Sequence, residues 1–374
     1  MRIGMMTFHK SESHGAMLQA FALQKTLDKL GNEAEIINYD RFFLKNQNEV
    51  SAGTLATKIK RIAIRFITFV YKTIYKKSIT TKIARFESFR SNYLKIASKE
   101  YHTSEELRKD KPEYDAYVTG SDQVWNPDSI IHDAYYFTFL DSSAKTIAYA
   151  PSIGVSKLDN SVIRDKMKNY LQHIKYLSCR EETGAKVIES ITNRHVEQVL
   201  DPTFLLSKEE WSELIRKKTE RKPYVLCYFL GSLKYGREYA KTIAKQKGYD
   251  IVVIPQSPVE IFSRNKKETG VGPLEFLELF WGASVICTDS FHGTAFSINF
   301  KKPFYSFCRR NPNGAASRIS RLQDILEKLN LSHRLIMPGD TFAETELEID
   351  YDEPTKLLNI ERERSMHYLS QALN

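Results

Sequence analysis

Apolar and polar positions follow one another in blocks that read, in turn, as strand, loop and helix. Arg2 to Thr7 is a short apolar run suited to a buried parallel strand. Phe8 to His14 is polar, and Gly15 to Leu30 repeats apolar residues at helical spacing through Met17, Leu18, Phe21, Ala22, Leu27 and Leu30. Gly31 stops that helix, and Ala34 to Tyr39 is the next strand. A βαβ unit of this kind builds parallel sheet. The rhythm resumes at Tyr114, with strands predicted at Tyr114 to Thr119, Lys145 to Ala150, Ile174 to Ser178 and Val196 to Leu200, and helices near Ser161 to His173 and Glu181 to Ile191. Asp201-Pro202-Thr203 then punctuates the chain, and Ser207 with Glu210 forms a capping-box pattern that opens a new helix. Strands follow at Tyr224 to Leu230, Asp250 to Ile254, Ser284 to Thr288 and Pro303 to Phe307, and a helix near Ile360 to Leu373 closes the chain.

The segment Leu55 to Tyr93 breaks this alternation. It has a helical period and carries Lys58, Lys60, Arg61, Arg65, Lys72, Lys76, Lys77, Lys82, Arg85 and Arg90, with Glu87 as its acid. Two readings stay open: a cationic helix lying on an anionic membrane face, or an insertion packed on its domain with a solvated charged side. The whole pattern predicts an α/β protein of two Rossmann-like domains facing a cleft. The first spans 1–205 with the basic helical insertion at about 55–93, and the second spans 206–374, its last helix placed to pack back on the first. Ligands of such sheets bind at the carboxyl ends of the strands, so the chemistry is expected in the loops that follow them.

Composition narrows the function classes. At 374 residues the chain exceeds one ordinary core. Its net charge of +9 favours anionic partners. The basic residues are not arranged around an RNA- or DNA-reading motif, which sets nucleic acid aside. Cys179, Cys227, Cys287 and Cys308 form no CxxC pair and read as buried thiols in a reducing compartment, and no zinc-ligand spacing is present. The N-terminus has no leader pattern and no window holds about 18 uncharged apolar residues. The expected location is therefore cytoplasmic.

Four strand-to-helix junctions carry candidate chemistry. In Cys287 to Ala295, a helix start suits a phosphate or carboxylate, Gly293 permits close backbone approach, and His292 can exchange a proton near neutral pH. The alternative there is a capped helix with a structural histidine. In Ser178 to Gly184, Arg180 could grip an anion with two prongs or pair with Glu181 or Glu182. In Ser11 to Ala20, small polar residues could reach a sugar or a phosphate, but no GxGxxG fingerprint is present. In Gly120 to Pro127, Trp125 offers a face for a sugar ring and Asp122, Gln123 and Asn126 offer hydroxyl partners; the alternative is a structural turn with Trp125 packed inside. Arg309, Arg310, Arg318 and Arg321 cluster after the Pro303 to Phe307 strand.

The stretches SHGAMLQAFALQ, YDAYVTGSDQVWNP, LSCREETG, VLDPTFLL and TDSFHGTAFSI occur in that order. Together, over roughly residues 1 to 308, they resemble the polysaccharide pyruvyl transferase family. The resemblance implies a GT-B-like pair of domains, phosphoenolpyruvate as co-substrate with no other cofactor and no metal, and a pyruvate ketal formed on a sugar of a capsule, an exopolysaccharide or its lipid-linked precursor. It implies His292 as the catalytic residue. It places Arg180 at the donor. With the junctions read above, the donor site is expected at Arg180, Asp289, Ser290, Gly293, Thr294, Arg309 and Arg318, and the acceptor site at His14, Gly15, Gln19, Ser121, Asp122, Gln123, Trp125 and Asn126. Many members carry an arginine where this chain has Ser290; Arg309, Arg310 and Arg318 are the candidates to replace it, with backbone amides as the alternative. The expected partners are phosphoenolpyruvate, a glycan or lipid-linked acceptor and, through residues 55–93, the inner face of the cytoplasmic membrane. The competing readings are a nucleotide-sugar-dependent glycosyltransferase on the same scaffold, for which Glu275 or Glu278 would have to grip a ribose, and a non-enzymatic binder of anionic glycans.

Overall fold

The computed structural model describes all residues except 43–69, 71–72, 128–130, 217–220, 232, 257–264, 309–316 and 342–346. The first half of the chain forms β1 (Arg2–Met6), α1 (His14–Lys29), β2 (Glu33–Tyr39), α2 (Lys76–Tyr93), β3 (Ile96–Tyr101), α3 (Ser104–Lys109), β4 (Ala116–Thr119), β5 (Thr146–Ala148), α4 (Ser161–Leu171), β6 (Ser178–Cys179), α5 (Glu182–Thr192) and β7 (Glu197–Gln198). The second half forms α6 (Lys208–Ser212), β8 (Tyr224–Tyr228), α7 (Lys234–Lys247), β9 (Asp250–Val253), β10 (Lys266–Lys267), α8 (Pro273–Gly282), β11 (Val285–Thr288), α9 (Phe291–Asn299), β12 (Phe304–Phe307), α10 (Ser317–Lys328), β13 (Leu335–Ile336) and α11 (Asp352–Leu373).

The protein is α/β, with two Rossmann-like sheets in a GT-B-like pair. The first sheet has the order β3-β2-β1-β4-β5 and the second β10-β9-β8-β11-β12-β13. Every pairing in both sheets is parallel. Strands such as β4 and β11 are buried along their whole length, which is why they read as continuous apolar runs in the sequence. In each sheet the winding reverses beside the first strand, between β1 and β4 and between β8 and β11. A crevice opens at such a reversal, outside the strand ends. The edge strands β3, β10 and β13 were not predicted. Each is short or polar, as an edge that must resist further pairing tends to be.

Two elements tie the halves together. The described part of the basic segment is mainly α2, which buries Phe86 and Phe89. It is a brace between halves: Arg85 Nη1 donates to Gly270 O at 2.8 Å and its Nε pairs with Glu275 at 3.0 Å, while Ser78 Oγ meets Thr269 Oγ1 at 2.9 Å. Lys82 faces Glu12 and Arg90 pairs with Glu87, so these cations of the segment are spent within the chain. Residues 55–69 of the segment, and 71–72, lie outside the described residues. Helix α11 returns from the second half to the first sheet, where Tyr368 OH donates to Ala148 O at 2.9 Å, Lys145 Nζ to Leu373 O at 2.7 Å, and Leu200 N to Ser365 Oγ at 2.9 Å. One continuous apolar cluster accordingly holds residues from Ile3 to Leu373. Among the described residues no helix is long and apolar enough to cross a membrane. All four cysteines are buried and free.

Candidate active site

A cavity of about 500 Å³ opens where the two strand-order reversals face each other. Ser11 to Ser13 reach it from the loop after β1, Gly15 from the first turn of α1, and Asp122 and Gln123 from the loop after β4. Tyr228 and Leu230 come from the end of β8, and Ser290, Phe291 and His292 from the turn after β11. Gln256 and Arg321 complete the wall. Arg321 is the only lysine or arginine on it among the described residues. With the Gln123 carboxamide oxygen turned toward it, Arg321 donates to that oxygen from Nη2 at 3.0 Å, so a guanidinium of the second half meets an amide of the first across the cavity.

The turn that presents His292 is built locally. Thr288 Oγ1 donates to Tyr228 O at 2.7 Å and accepts from Ser290 N at 3.1 Å, and Ser290 caps α9 by accepting from Gly293 N at 3.3 Å. The first-turn N–H groups of Phe291 and His292 have no acceptor within the helix, and α1 starts at the same cavity under its cap Ser13. Two positive helix ends therefore face one hollow. The His292 side chain is 11% exposed, and its Nε2 lies 3.6 Å from Asp201 Oδ2. Gly15 sits against the ring: a Cβ there would stand 2.7 Å from His292 Cε1 and closer still to Nδ1 and Cγ.

Behind His292 lies a buried charged set. Arg180 Nη1 donates to Asp201 Oδ2 at 2.7 Å and its Nε to Glu181 Oε1 at 3.3 Å, all three side chains being almost fully enclosed. Burial works against the Arg180 charge, but Glu181 and then Asp201 outweigh it and keep the guanidinium protonated. Burial would likewise raise the Asp201 carboxyl, yet His292 and Arg180 hold it well below the usual carboxylate range. Glu181 also accepts from Ser152 Oγ.

Several expected ligand contacts are corrected by this geometry. Arg180 is 4% exposed and lies against the ring of Phe291, its Cζ 4.3 Å from the centroid, so it stands behind the cavity wall rather than on it. Asp289 accepts from Leu230 N and Gly231 N at 2.6 and 3.0 Å and secures the β8 loop. Thr294 is buried against Ser306 Oγ at 2.6 Å. Gly293 faces inward, where a Cβ would be 3.0 Å from Thr288 Cβ; it serves helix–strand packing and not ligand approach. Trp125 is fully buried and stacks on Tyr136 at 5.2 Å, so it has no face for a sugar. His14 is buried, stacks on Phe276 at 4.8 Å and has Nε2 3.0 Å from Val271 O; burial first, then Lys82, lowers its pKa to about 3, which leaves a neutral interdomain contact. Gln19 and Ser121 are fully buried: Gln19 Nε2 donates to Thr7 Oγ1 at 2.8 Å, and its Oε1 accepts from Ser121 N at 3.0 Å. Asn126 touches Gln123 at 2.9 Å and does not line the cavity. Arg309 and Arg310 lie outside the described residues, and Arg318 is on α10 with its side chain outside the description.

What remains at the cavity from the expected set is Gly15, Asp122, Gln123, Ser290 and His292. The residues not foreseen there are Tyr228, Leu230, Gln256 and Phe291. The loops after β8 and β9 could have pointed to three of these by the strand-end rule. Elsewhere among the described residues, Asp40, Glu100 and His102 bring possible metal-ligand atoms within 4.8 Å of one another, but Lys10 already pairs with Glu100.

The halves also meet at α10, where Asp324 Oδ2 accepts from Glu182 N at 3.0 Å. Burial raises this carboxyl to about 6, against the lowering effect of the Thr183 and Glu182 amides. Its folded value lies above that of an unfolded aspartate at 3.8, so ionisation costs stability in full above about pH 6, and this cost fades as the pH falls from there toward the unfolded value. Asp324→Asn keeps an acceptor and removes the charge. It is expected to raise Tm by about 2 °C at pH 7.5, with the gain falling to roughly a third of that near pH 4.5, as thermal melts across that range would show.

A family model described as polysaccharide pyruvyl transferase matches residues 14–308. No curated protein matches. Among solved structures, UDP-GlcNAc 2-epimerase from Methanocaldococcus jannaschii is 13% identical over 97% of this chain and 93% of its own, with a TM-score of 0.46. An alpha-glucosyltransferase solved with UDP and a 13-mer DNA is 11% identical over 99% of this chain and 95% of its own, with a TM-score of 0.48. The E. coli heptosyltransferase WaaC is 10% identical over 87% of this chain and 99% of its own, with a TM-score of 0.39.

Proposed function

Because the chain belongs to the polysaccharide pyruvyl transferase family, we propose that it transfers the pyruvyl group of phosphoenolpyruvate to two hydroxyls of a glycan or lipid-linked glycan, forming a ketal and releasing phosphate. The observation that carries this reading is the position of His292. It is an imidazole on the first turn of α9, at a cavity wall where both sheets present their strand-order reversals and two helix starts converge.

The reaction needs an anion site and a proton donor. The starts of α1 and α9 and the Arg321 guanidinium suit the phosphate and carboxylate of the donor. His292 gives a proton to the methylene carbon of the enol, and an oxocarbenium-like centre develops at the adjacent carbon. One acceptor hydroxyl adds there and returns its proton to His292. The bond to the phosphate oxygen breaks, the second hydroxyl closes the ketal, and its proton leaves with the phosphate. Stabilising the departing phosphate by groups already in place is the larger electrostatic contribution. Asp122 and Gln123, with Ser11, Glu12 and Ser13, are the polar side chains of the first half on the cavity wall that could meet the acceptor hydroxyls.

The test is direct. The purified protein is incubated with phosphoenolpyruvate and a panel of glycosides and lipid-linked glycans. Phosphate release together with a pyruvyl-ketal mass gain on one acceptor is expected. Thermal stabilisation by nucleotide-sugars, with none by phosphoenolpyruvate, would instead favour the glycosyltransferase reading.

A further inference from the structure

The residue next to His292 that the reaction scheme leaves unused is Asp201, at the Asp201-Pro202-Thr203 turn between the halves. Its carboxylate is held from several sides. Oδ1 accepts from Thr203 N at 3.0 Å and from Thr203 Oγ1 at 2.7 Å. Oδ2 accepts from Arg180 Nη1 at 2.7 Å and from Ser121 Oγ at 3.2 Å. The side chain has no exposure, and the donors come from the β4 loop, the β6–α5 junction and the turn itself. Among the described residues, His292 Nε2 is enclosed and within hydrogen-bonding distance of no acceptor; Asp201 Oδ2, at 3.6 Å, is the acidic atom in front of it. A carboxylate so tightly fixed is costly to bury unless its position matters. The charged side chains of the set are Arg180, Glu181 and Asp201, one cation against two anions. An N–H dipole on Nε2 directed at Asp201 partly offsets the excess negative charge of that set.

We infer that Asp201 is a positioning residue: it takes the Nε2 proton of His292 as a hydrogen bond, fixes which nitrogen is inward, and leaves Nδ1, on the ring edge against Gly15, to serve the cavity. This rests on the assignment of His292 as the proton donor. The contact of 3.6 Å is longer than a hydrogen bond, and binding of the donor is expected to shorten it. Thr203, Ser121 and Arg180 act one step further back, by keeping the carboxylate from turning away.

The experiment has an arm that needs no donor and no variant of Asp201. In protein labelled with 15N at histidine, the ring signals of His292 are identified by their loss in His292→Asn. The expected result is a proton on Nε2, with a downfield hydrogen-bonded resonance on adding phosphoenolpyruvate or inorganic phosphate. A ring protonated on Nδ1 alone, with a bare Nε2, overturns the inference. In the second arm, Asp201→Asn is expected to lower kcat by about 100-fold with the KM for phosphoenolpyruvate within about threefold of the parent. Thr203→Val, which removes one hydroxyl bond and keeps the volume, is expected to lower kcat by about fivefold and serves if Asp201→Asn does not fold. A rise in KM with unchanged kcat in the variant that folds overturns the inference. If the parent protein turns over no phosphoenolpyruvate, the donor assignment falls, and the labelled-histidine arm still decides the Asp201 contact.

Discussion

Replacing His292 by alanine is expected to reduce kcat for pyruvyl transfer by about 10³-fold while the protein keeps its fold. The size follows from the usual contribution of a positioned acid to proton transfer. The fold should survive because the ring is at the cavity wall and its removal leaves Asp201 still bonded to Arg180, Ser121 and Thr203. The two-arm measurement is turnover by phosphate release and folding by circular dichroism and thermal melting. Unchanged turnover in a folded variant would remove His292 from the chemistry. Donor affinity, read by titration, should change by only a few-fold if, as proposed, the anion is held by Arg321 and the helix starts.

Gly15→Ala should be nearly as damaging, though it adds only a methyl group. Its Cβ would collide with the His292 ring, and neither partner can yield cheaply: α1 is buried along its inner face from His14 to Leu18, and α9 is fixed by Ser290 and Thr288. The ring must rotate off its Asp201 contact or the two halves must separate at this point. Displacing a reacting group by about 1 Å costs about 100-fold in rate, and overpacking a tight contact costs about 1–3 kcal/mol in stability. The expected outcome is a loss of kcat of about 100-fold with a lower Tm. Wild-type turnover with an unshifted Tm would mean that the halves are not apposed at Gly15.

Much of the scaffold was legible in the sequence because parallel strands buried on both faces leave apolar runs, and the helices between them leave a clear period. The strand-end rule pointed to the loops after β1, β4 and β11, which reach the cavity, and to the β6–α5 junction, which does not. It could not name which side chain in each loop turns toward the cavity, since that is decided by packing from residues far along the chain. His14 and His292 illustrate this. Each follows a strand, opens a helix and precedes a glycine, yet the ring of His14 is taken up by Phe276 of the other half while that of His292 stays at the opening. Trp125 was lost to the core in the same way, through Tyr136. Asp201 read as punctuation before a proline because Arg180, Ser121 and His292, which give it meaning, are distant in sequence. Arg180 read as a clamp for an external anion because nothing local revealed that Asp201 and Glu181 already occupy it.

The return of α11 to the first sheet bears on how this protein could be recombined with a relative. A hybrid that crosses over once, near residue 205, would take residues 352–373 from the wrong parent and strand the partners of Lys145, Ala148 and Leu200. A working chimera needs a second crossover ahead of Asp352, so that the final helix is inherited with the sheet it covers.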